Sequence, residues 1–131
     1  MSNCVLLLED EPLILLDLEY AVEDRGYCVL PTQSCTEALA AIEGNAQRLV
    51  VAVLDVSLGG EGNTCFPVAQ ELDRRGIPYI LHSGDLDRHD EKIRRLDAEL
   101  VAKPAPAEKV ITAAIAYALD DGVPDTVNAP A

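Results

Sequence analysis

The sequence predicts a single α/β domain with a parallel β-sheet that is covered by helices on both faces. Five short apolar segments alternate with five longer amphipathic segments along the chain. The apolar segments are rich in Val, Ile and Leu without strict alternation, which is typical of parallel strands buried on both faces. With 131 residues, of which 49% are hydrophobic, the chain can form one packed core but not two. Parallel neighbours require right-handed helical crossovers, so the alternation indicates a doubly wound sandwich.

The predicted strands and helices alternate in the order that this fold requires. The five strands are predicted at residues 4–8, 27–31, 49–54, 77–81 and 99–102. The five helices are predicted near residues 12–25, 35–44, 64–75, 87–96 and 106–119. In such folds, functional side chains collect where the carboxyl ends of the strands meet. The residues that follow each strand are therefore the first candidates for a functional site.

The helices differ in how clearly the sequence marks their ends and their apolar faces. The first helix has Pro12 near its start and Gly26 just beyond its end, which are the usual positions for these residues. The fourth helix has only Ile93 and Leu96 as clear apolar anchors. We therefore expect the fourth helix to be loosely held.

The two ends of the chain carry predictions about domain organisation and location. After the fifth helix, glycine and proline interrupt any periodicity, so we predict a domain at residues 1–119 and a flexible tail at residues 120–131. We expect no separate output domain. The first residues lack the basic start and cleavage site of a secretory signal, which predicts a cytoplasmic protein. No apolar run approaches the ~18 residues of a membrane span.

The charge balance excludes two classes of partner. The chain has 23 acidic and 10 basic residues, and its net charge of −13 repels phosphate backbones and anionic lipids. We therefore expect no nucleic-acid and no membrane partner. The charges are also uneven, because residues 1–24 hold seven acids and no base, whereas residues 74–109 hold eight of the ten bases. Two surfaces of different sign can select different protein partners.

The cysteines and histidines do not form a metal-binding pattern. The four cysteines are Cys4, Cys28, Cys35 and Cys65. They contain no Cys-x-x-Cys pair and lie in or near apolar segments, so we predict reduced, buried thiols. His82 and His89 are far from every cysteine in sequence, which argues against a zinc site. We predict that His82 is a packing residue and that His89 lies on a helix surface.

Polar residues follow four of the predicted strands. Glu9 and Asp10 follow the first strand, and Asp55 follows the third. Ser83 comes shortly after the fourth strand, and Lys103 directly follows the fifth. Carboxylates brought together repel one another unless a cation lies between them, and oxygen ligands with room for water suit Mg²⁺. The strand ends therefore predict a magnesium site.

Asp55 is the central candidate within that site. A carboxylate beside a hard cation and a lysine is a suitable acceptor for a phosphoryl group, because both positive charges offset charge on the transferring oxygens. A single carboxylate after a strand often only caps the next helix. The joint occupation of four strand ends favours a functional site over capping. The glycine-rich segment 59–63 lacks a Gly-Lys-Ser/Thr ending, so we interpret it as a turn and not as a phosphate-binding loop.

Four segments of the sequence carry a family resemblance. They are Val-Leu-Leu-Leu-Glu-Asp-Glu-Pro at 5–12, Val-Leu-Asp-Val-Ser-Leu at 53–58, Leu-His-Ser-Gly at 81–84 and Ala-Lys-Pro at 102–104. In this order and spacing they resemble the signature segments of a response-regulator receiver domain of the CheY-like type, here a stand-alone one. The resemblance covers about residues 3–119. It implies a flavodoxin-like, five-stranded parallel sheet in the order 2-1-3-4-5 with five helices.

The resemblance also implies a role for each residue of the acidic group. Asp55 accepts a phosphoryl group from a sensor histidine kinase or a histidine phosphotransfer protein. Asp10 and Asp55 bind Mg²⁺ directly, and Glu9 binds it directly or through water. The main-chain carbonyl of Ser57 completes the coordination. Glu9 stands where Asp is the commoner residue.

The remaining matches concern phosphoryl binding and switching. Ser83 matches the hydroxyl residue that turns towards the phosphoryl oxygens, and Lys103 matches the lysine that pairs with them. Gly84 matches a small residue that keeps the pocket open. Ser57 and Asp85 match positions that influence the rate of dephosphorylation. Leu100 stands at the switch position that usually carries an aromatic residue, so an aromatic switch is absent there. A stand-alone receiver subgroup ends its fourth strand in Phe-Ala-Thr-Gly-Tyr, and this chain has neither that segment nor its tyrosine.

These matches imply a phosphorylation-dependent signalling module and not an enzyme. Its output is binding to an unknown protein, and we expect a monomer or weak homodimer. One alternative is a phosphate sink that draws phosphoryl groups from another regulator. A receiver-like interaction protein that is never phosphorylated is a further alternative. A Mg²⁺-dependent phosphatase of the haloacid-dehalogenase type is disfavoured, because such enzymes carry a second Asp where this chain has Ser57.

Overall fold

Strands and helices alternate along the whole described chain. The computed structural model describes residues 3–58, 64–84 and 91–122, with side chains up to residue 119. The strands are β1 (Cys4–Leu8), β2 (Cys28–Thr32), β3 (Leu49–Asp55), β4 (Tyr79–Ser83) and β5 (Leu100–Ala102). The helices are α1 (Pro12–Asp24), α2 (Cys35–Asn45), α3 (Phe66–Arg75), α4 (Glu91–Arg94) and α5 (Ala107–Gly122).

The five strands form one parallel sheet in the order β2-β1-β3-β4-β5. This confirms the predicted fold class and strand order. Every residue of β1 and β4 is buried, and so are all but one of the residues of β3. The outer strands β2 and β5 are largely half-buried or exposed. Burial on both faces explains why the inner strands show no alternation of apolar and polar residues.

A hydrophobic core lies on each face of the sheet. Successive residues of a strand point to opposite faces, so Leu6 and Leu7 of β1 belong to different cores. On one face, α2 and α3 cover the sheet, with Ile42 and Leu72 fully buried. On the other face, α1 and α5 cover it. Ile93 of α4 joins the first core, with Leu96 packed against it, as the apolar anchors predict.

Most element boundaries lie within two residues of the prediction, and each shift has a local cause. The strand β4 ends at Ser83 and not at residue 81, because the amide of Lys103 donates to the Ser83 carbonyl at 2.8 Å and extends the pairing with β5. The helix α3 begins at Phe66 and not at residue 64, because Thr64 forms a bridge with Ser57. The helix α3 ends at Arg75 and is capped by Gly76, whose φ of 72° is the left-handed conformation that glycine adopts freely.

The fourth and fifth helices differ most from their predicted spans. The helix α4 covers Glu91–Arg94, whereas the prediction was residues 87–96, of which 87–90 lie outside the described residues. The helix α5 runs to Gly122, three residues beyond the predicted end. The tail predicted at residues 120–131 therefore begins with a helical turn, and residues 123–131 lie outside the described residues. The division into domain and tail stays a prediction.

The prediction that all cysteines are reduced is wrong for two of them. Cys4 and Cys28 form a disulfide, whereas Cys35 and Cys65 keep their thiols. The cause is strand register, because Cys4 of β1 pairs directly with Cys28 of β2. The sequence does not reveal this pairing, because the two cysteines are 24 positions apart. Within the described residues, no helix is both long enough and apolar enough to cross a bilayer.

Candidate functional site

Three carboxylates meet at the carboxyl edge of the sheet. Glu9, Asp10 and Asp55 each offer an oxygen, and these three atoms lie within 4.8 Å of one another. The arrangement follows from topology, because β1 and β3 are neighbours and pair in register up to Leu8 and Leu54. Glu9 and Asp55 are buried, with 1% and 2% of their surface exposed, whereas Asp10 is exposed. The sequence prediction that these carboxylates converge agrees with the structure.

Lys103 provides the positive charge that faces this group. Its Nζ lies 3.1 Å from Asp55 Oδ1 and 3.3 Å from Glu9 Oε1. Lys103 directly follows β5, which is separated from β3 by β4, so the long side chain spans the width of one strand. The Lys103–Pro104 peptide bond is cis. Two of the three clustered carboxylates are therefore within ion-pair distance of one ammonium group.

Ser83 and Gly84 lie at the same edge, at the end of β4. Ser83 is fully buried, and its hydroxyl donates to the carbonyl of Gly84 at 2.9 Å. Asp55 pairs with His82 across the β3–β4 ladder, which places Ser83 one residue beyond the level of Asp55. A Cβ atom on Gly84 meets no described atom within 4 Å, so the space beside the site is open there.

Two further predicted residues lie near the same edge of the sheet. Ser57 lies two residues beyond β3, is exposed, and forms an isolated antiparallel bridge with Thr64. Leu100 is the first residue of β5, is 36% exposed, and pairs with Leu81. Residues 59–63, Asp85 and His89 lie outside the described residues.

The electrostatics of the site favour a neutral Asp55 in the absence of a cation. Burial raises the pKa of Asp55 to about 8, the negative charge of Glu9 adds to the rise, and Lys103 opposes it. Burial also disfavours the charge on Lys103, but the charges of Asp55 and Glu9 outweigh this and raise the pKa of Lys103. One lysine therefore does not neutralise both buried carboxylates.

The residues of the site fit a hard divalent cation. Asp55 Oδ2 and Glu9 Oε1 are buried and accept no hydrogen bond within the described part of the chain, although Lys103 forms an ion pair with Glu9 Oε1. The other oxygen of Glu9 accepts a hydrogen bond from the amide of Glu11 at 3.1 Å, which fixes the side chain. Buried oxygens without partners are costly unless a ligand satisfies them. An all-oxygen donor set matches Mg²⁺.

His82 is a residue of the site that sequence reasoning missed. It is buried, as a packing residue would be, but its Nδ1 lies 4.0 Å from Glu9 Oε1. Neither ring nitrogen has a hydrogen-bond partner among the described residues. Burial and, to a smaller extent, the charge of Lys103 lower the pKa of His82 to about 4, so the ring is neutral at pH 7. The signal in the sequence was a polar residue inside the buried segment Tyr79–Ser83.

A cavity of about 200 Å³ adjoins His82 between α1 and the loop that follows β5. Its walls include Ile14 and Asp17 of α1, together with Lys103 and Pro104. Lys103 therefore faces both the acidic group and this cavity. The site is thus bordered by a cavity on the side of α1.

The chain is similar to known signalling proteins. No family model matches it. It is 30% identical over 120 residues to the phyllosphere-induced regulator PhyR of Methylorubrum extorquens, and the match covers 91% of this chain and 44% of that protein. The chain thus spans less than half the length of this curated relative.

Solved structures provide closer matches in length. SdrG from Sphingomonas melonis Fr1 is 31% identical, with 90% of this chain and 97% of that chain covered and a TM-score of 0.71. A response regulator receiver protein from Sinorhizobium medicae is 22% identical, with 92% and 97% covered and a TM-score of 0.74.

The sheet order and the acidic carboxyl edge define a doubly wound domain of the CheY-like class. The chain belongs to the receiver-domain family of two-component response regulators. Receiver domains are signalling modules and not conventional enzymes.

Proposed function

We propose that this chain accepts a phosphoryl group on Asp55 from a sensor histidine kinase or a histidine phosphotransfer protein, and then signals by binding another protein. One observation carries this proposal. Asp55 is buried at the carboxyl edge with one oxygen held by Lys103 and the other without a hydrogen-bond partner in the described chain. A carboxylate in this arrangement has a free oxygen for attack and a cation ready to bind the incoming phosphoryl group.

The acidic group prepares the site for Mg²⁺. Glu9, Asp10, Asp55 and the main-chain carbonyl of Ser57 would hold the ion. When bound, the ion offsets the repulsion among the carboxylates and the charge on the transferring phosphoryl oxygens. Since Asp55 is protonated at neutral pH without a cation, positive charge beside it also favours the ionised form that attacks phosphorus.

The transfer itself is a displacement at phosphorus. An oxygen of Asp55 forms a bond to phosphorus while the bond from phosphorus to the donor imidazole breaks, and the electron pair of that bond stays on the imidazole nitrogen. Lys103 Nζ, which holds Asp55 Oδ1 at 3.1 Å, then donates to a phosphoryl oxygen. The chain's own residues therefore supply the acceptor and one positive charge.

Ser83 supports a conformational response at the end of β4. Its hydroxyl donates to the adjacent carbonyl of Gly84 before phosphorylation, which is a local bond that an anionic oxygen can replace. When the hydroxyl turns towards the phosphoryl group, the backbone after Ser83 loses this bond and shifts. Since Leu100 is not aromatic, the response is transmitted without an aromatic rotamer change at that position.

The surface supports a protein partner. The net charge of −13 opposes binding to nucleic acid and to anionic membranes. We further propose a monomer or weak homodimer in the cytoplasm. The helix α1 lies beside the site and exposes Leu13 and Tyr20, with 71% and 59% of their surface accessible. Acidic residues accompany them on the same helix. This mixed apolar and acidic face is our candidate for docking the phosphoryl donor.

The test is a labelling experiment with a small phosphodonor. The full chain is incubated with Mg²⁺ and acetyl phosphate, and intact mass is followed for wild type, Asp55→Asn and Asp24→Asn. Asp24 is an exposed carboxylate at the far end of α1 and serves as the matched control. We expect a gain of one phosphoryl group, labile in base, in wild type and Asp24→Asn but not in Asp55→Asn. An adduct that survives Asp55→Asn, or none with any donor, contradicts the proposal.

A further inference from the structure

The amino edge of the sheet contains a second cluster of reactive side chains, far along the strands from the acidic group. Cys4 begins β1 and Cys28 begins β2, and the two residues are directly paired with a Cα to Cα distance of 4.3 Å. A backbone hydrogen bond also holds the starts of the two strands together, because the Cys28 amide donates to the Asn3 carbonyl at 2.9 Å. The sulfurs are therefore held together by strand pairing whether or not they are bonded.

A cation lies against both sulfurs. The guanidinium of Arg48 is 3.3 Å from Cys4 Sγ and 3.7 Å from Cys28 Sγ. Arg48 is itself fixed beside the pair, because its carbonyl accepts from the Cys4 amide. A nearby guanidinium lowers the pKa of a thiol by favouring the thiolate, which is the reactive form in exchange. The contact therefore favours thiolates at the sulfurs when the bond is open.

The two sulfurs differ in access, which gives an order to the reaction. Cys28 is half-buried on the edge strand, whereas Cys4 is fully buried. A small molecule from solvent therefore reaches Cys28 first, and Cys4 is the residue that resolves the resulting adduct.

The other two cysteines form a natural contrast. The thiol of Cys35 donates to the Thr64 carbonyl at 3.3 Å, and burial raises its pKa. Cys65 is fully buried in the core formed with α2 and α3. Burial of this kind disfavours a thiolate and limits access from solvent. The positive charge and the paired sulfurs at Cys4 and Cys28 favour exchange, whereas the surroundings of Cys35 and Cys65 oppose it.

We propose that Cys4 and Cys28 form a reversible thiol–disulfide exchange site whose substrate is a small disulfide of the glutathione class. In the oxidising direction, the Cys28 thiolate attacks one sulfur of the small disulfide, and the first small thiolate leaves. The Cys4 thiolate then attacks Cys28 Sγ, forms the internal bond and releases the second small thiolate. Two protein thiols are oxidised, one small disulfide is reduced to two thiols, and the protein's two protons end on the released thiols.

The exchange changes how the edge strand is held. Among the described strands, β2 pairs only with β1, so the disulfide is a covalent link between an edge strand and an inner strand of the sheet. The closed loop of the chain contains α1. Oxidation therefore ties α1 and β2 to β1, and reduction leaves only noncovalent packing there.

The experiment is a redox titration of the full chain. The protein is equilibrated with mixtures of reduced and oxidised glutathione, quenched with N-ethylmaleimide under denaturing conditions, and mapped by peptide mass. We expect Cys4 and Cys28 to lose their label together in one two-electron transition, while Cys35 and Cys65 stay labelled at every ratio. If Cys4 and Cys28 stay labelled throughout, or all four cysteines oxidise alike, the proposal is wrong.

Variants test the order of attack and the role of the guanidinium. Cys4→Ala should accumulate a stable glutathione adduct at Cys28, whereas Cys28→Ala should give little adduct at Cys4. Arg48→Gln should oxidise about three- to tenfold more slowly near pH 7, with the difference closing at a pH where thiols ionise unaided. Arg95→Gln, which changes an exposed arginine paired with Glu91, should match wild type. Equal adducts at the two cysteines, or no slowing in Arg48→Gln, contradict the order or the role proposed.

Discussion

The two ends of strand β1 have opposite effects on the stability of the fold. At the carboxyl end, Glu9 lies buried beside Asp55, and an oxygen of each accepts no hydrogen bond in the described chain. At the amino end, Cys4 is joined to Cys28 by a covalent bond. Like charges at one end weaken the apo fold and are relieved by a cation. A cross-link at the other end strengthens it and is removed by reduction. The two ends of the same strand should therefore respond to different chemical conditions.

The largest expected effect removes the cross-link. Cys28→Ala should lower the free energy of unfolding by about 3 kcal/mol under oxidising conditions, because the closed loop between residues 24 positions apart no longer restricts the unfolded chain. Urea denaturation with and without dithiothreitol measures this effect. Under reducing conditions the variant should approach wild type. Cys35→Ala, which leaves the disulfide intact, is the control. If Cys28→Ala is destabilised equally with and without dithiothreitol, the prediction is wrong.

The second effect removes the charge conflict at the carboxyl end. Asp55→Asn should raise the free energy of unfolding by about 2 kcal/mol at pH 8 without divalent cations, because the amide removes a negative charge that burial and Glu9 both disfavour. The pKa of Asp55 is about 8 in the folded chain and near 3.8 in the unfolded chain. Between these values unfolding releases a proton, so wild type loses stability as pH rises from about 4 to 8.

The pH dependence separates this explanation from a general effect of the substitution. At pH 4 to 5, Asp55 is protonated in the folded state, and the advantage of Asp55→Asn should largely disappear. Asp24→Asn removes an exposed carboxylate on the same protein and should show no such trend. A constant difference between Asp55→Asn and wild type across this range would falsify the assignment of the charge conflict to Asp55.

The third effect is the stabilisation of the folded state by a cation bound at the carboxyl end. Mg²⁺ should stabilise wild type by about 1.4 kcal/mol for each tenfold rise in concentration above its dissociation constant, because it binds the folded state alone. Thermal or urea unfolding at constant ionic strength measures this. Asp10→Asn should weaken the response, because Asp10 supplies one of the three clustered carboxylates. Equal stabilisation of wild type and Asp10→Asn would show that the ion acts elsewhere.

The fold could be predicted almost completely from the sequence, for a physical reason. The inner strands β1, β3 and β4 are buried on both faces and therefore almost entirely apolar, so their segments mark these strands directly. The acidic group was also predictable, because Glu9 and Asp55 follow strands and the carboxyl ends of parallel strands share one edge. These inferences need only local pattern and the direction of the chain.

The features that were missed depend on register and orientation. The Cys4–Cys28 bond exists because β1 and β2 pair residue by residue in one register, which no local pattern reveals. His82 lies beside Glu9 because the register of β3 and β4 sets His82 opposite Asp55, whose carboxylate is clustered with that of Glu9. Both contacts join residues of two strands, and the register between those strands is set by packing of the whole sheet. Sequence reasoning placed the strands but not the lateral contacts between them.

The smallest effect concerns His82, which lies between the acidic group and the cavity beside α1. His82→Leu should raise the free energy of unfolding by about 1 kcal/mol at pH 7, because a buried imidazole without a hydrogen-bond partner in the described chain is replaced by an apolar side chain. The pKa of His82 is about 4 in the folded chain and near 6.5 in the unfolded chain. Between these values unfolding takes up a proton, so wild type loses stability as pH falls from about 6.5 to 4, and the advantage of His82→Leu should grow.

A second variant separates titration of the ring from the loss of its polar atoms. His82→Gln retains hydrogen-bonding groups without titrating, so it should show the same pH trend as His82→Leu with a smaller gain at pH 7. Urea denaturation of both variants and wild type at pH 7 and pH 5 measures the two contributions. If His82→Leu is less stable than wild type at both pH values, the imidazole has a partner at this end of the sheet. In that case fewer buried polar groups at the carboxyl end of β1 lack a partner. The difference in stability between this end and the cross-linked amino end is then smaller than the structure indicates.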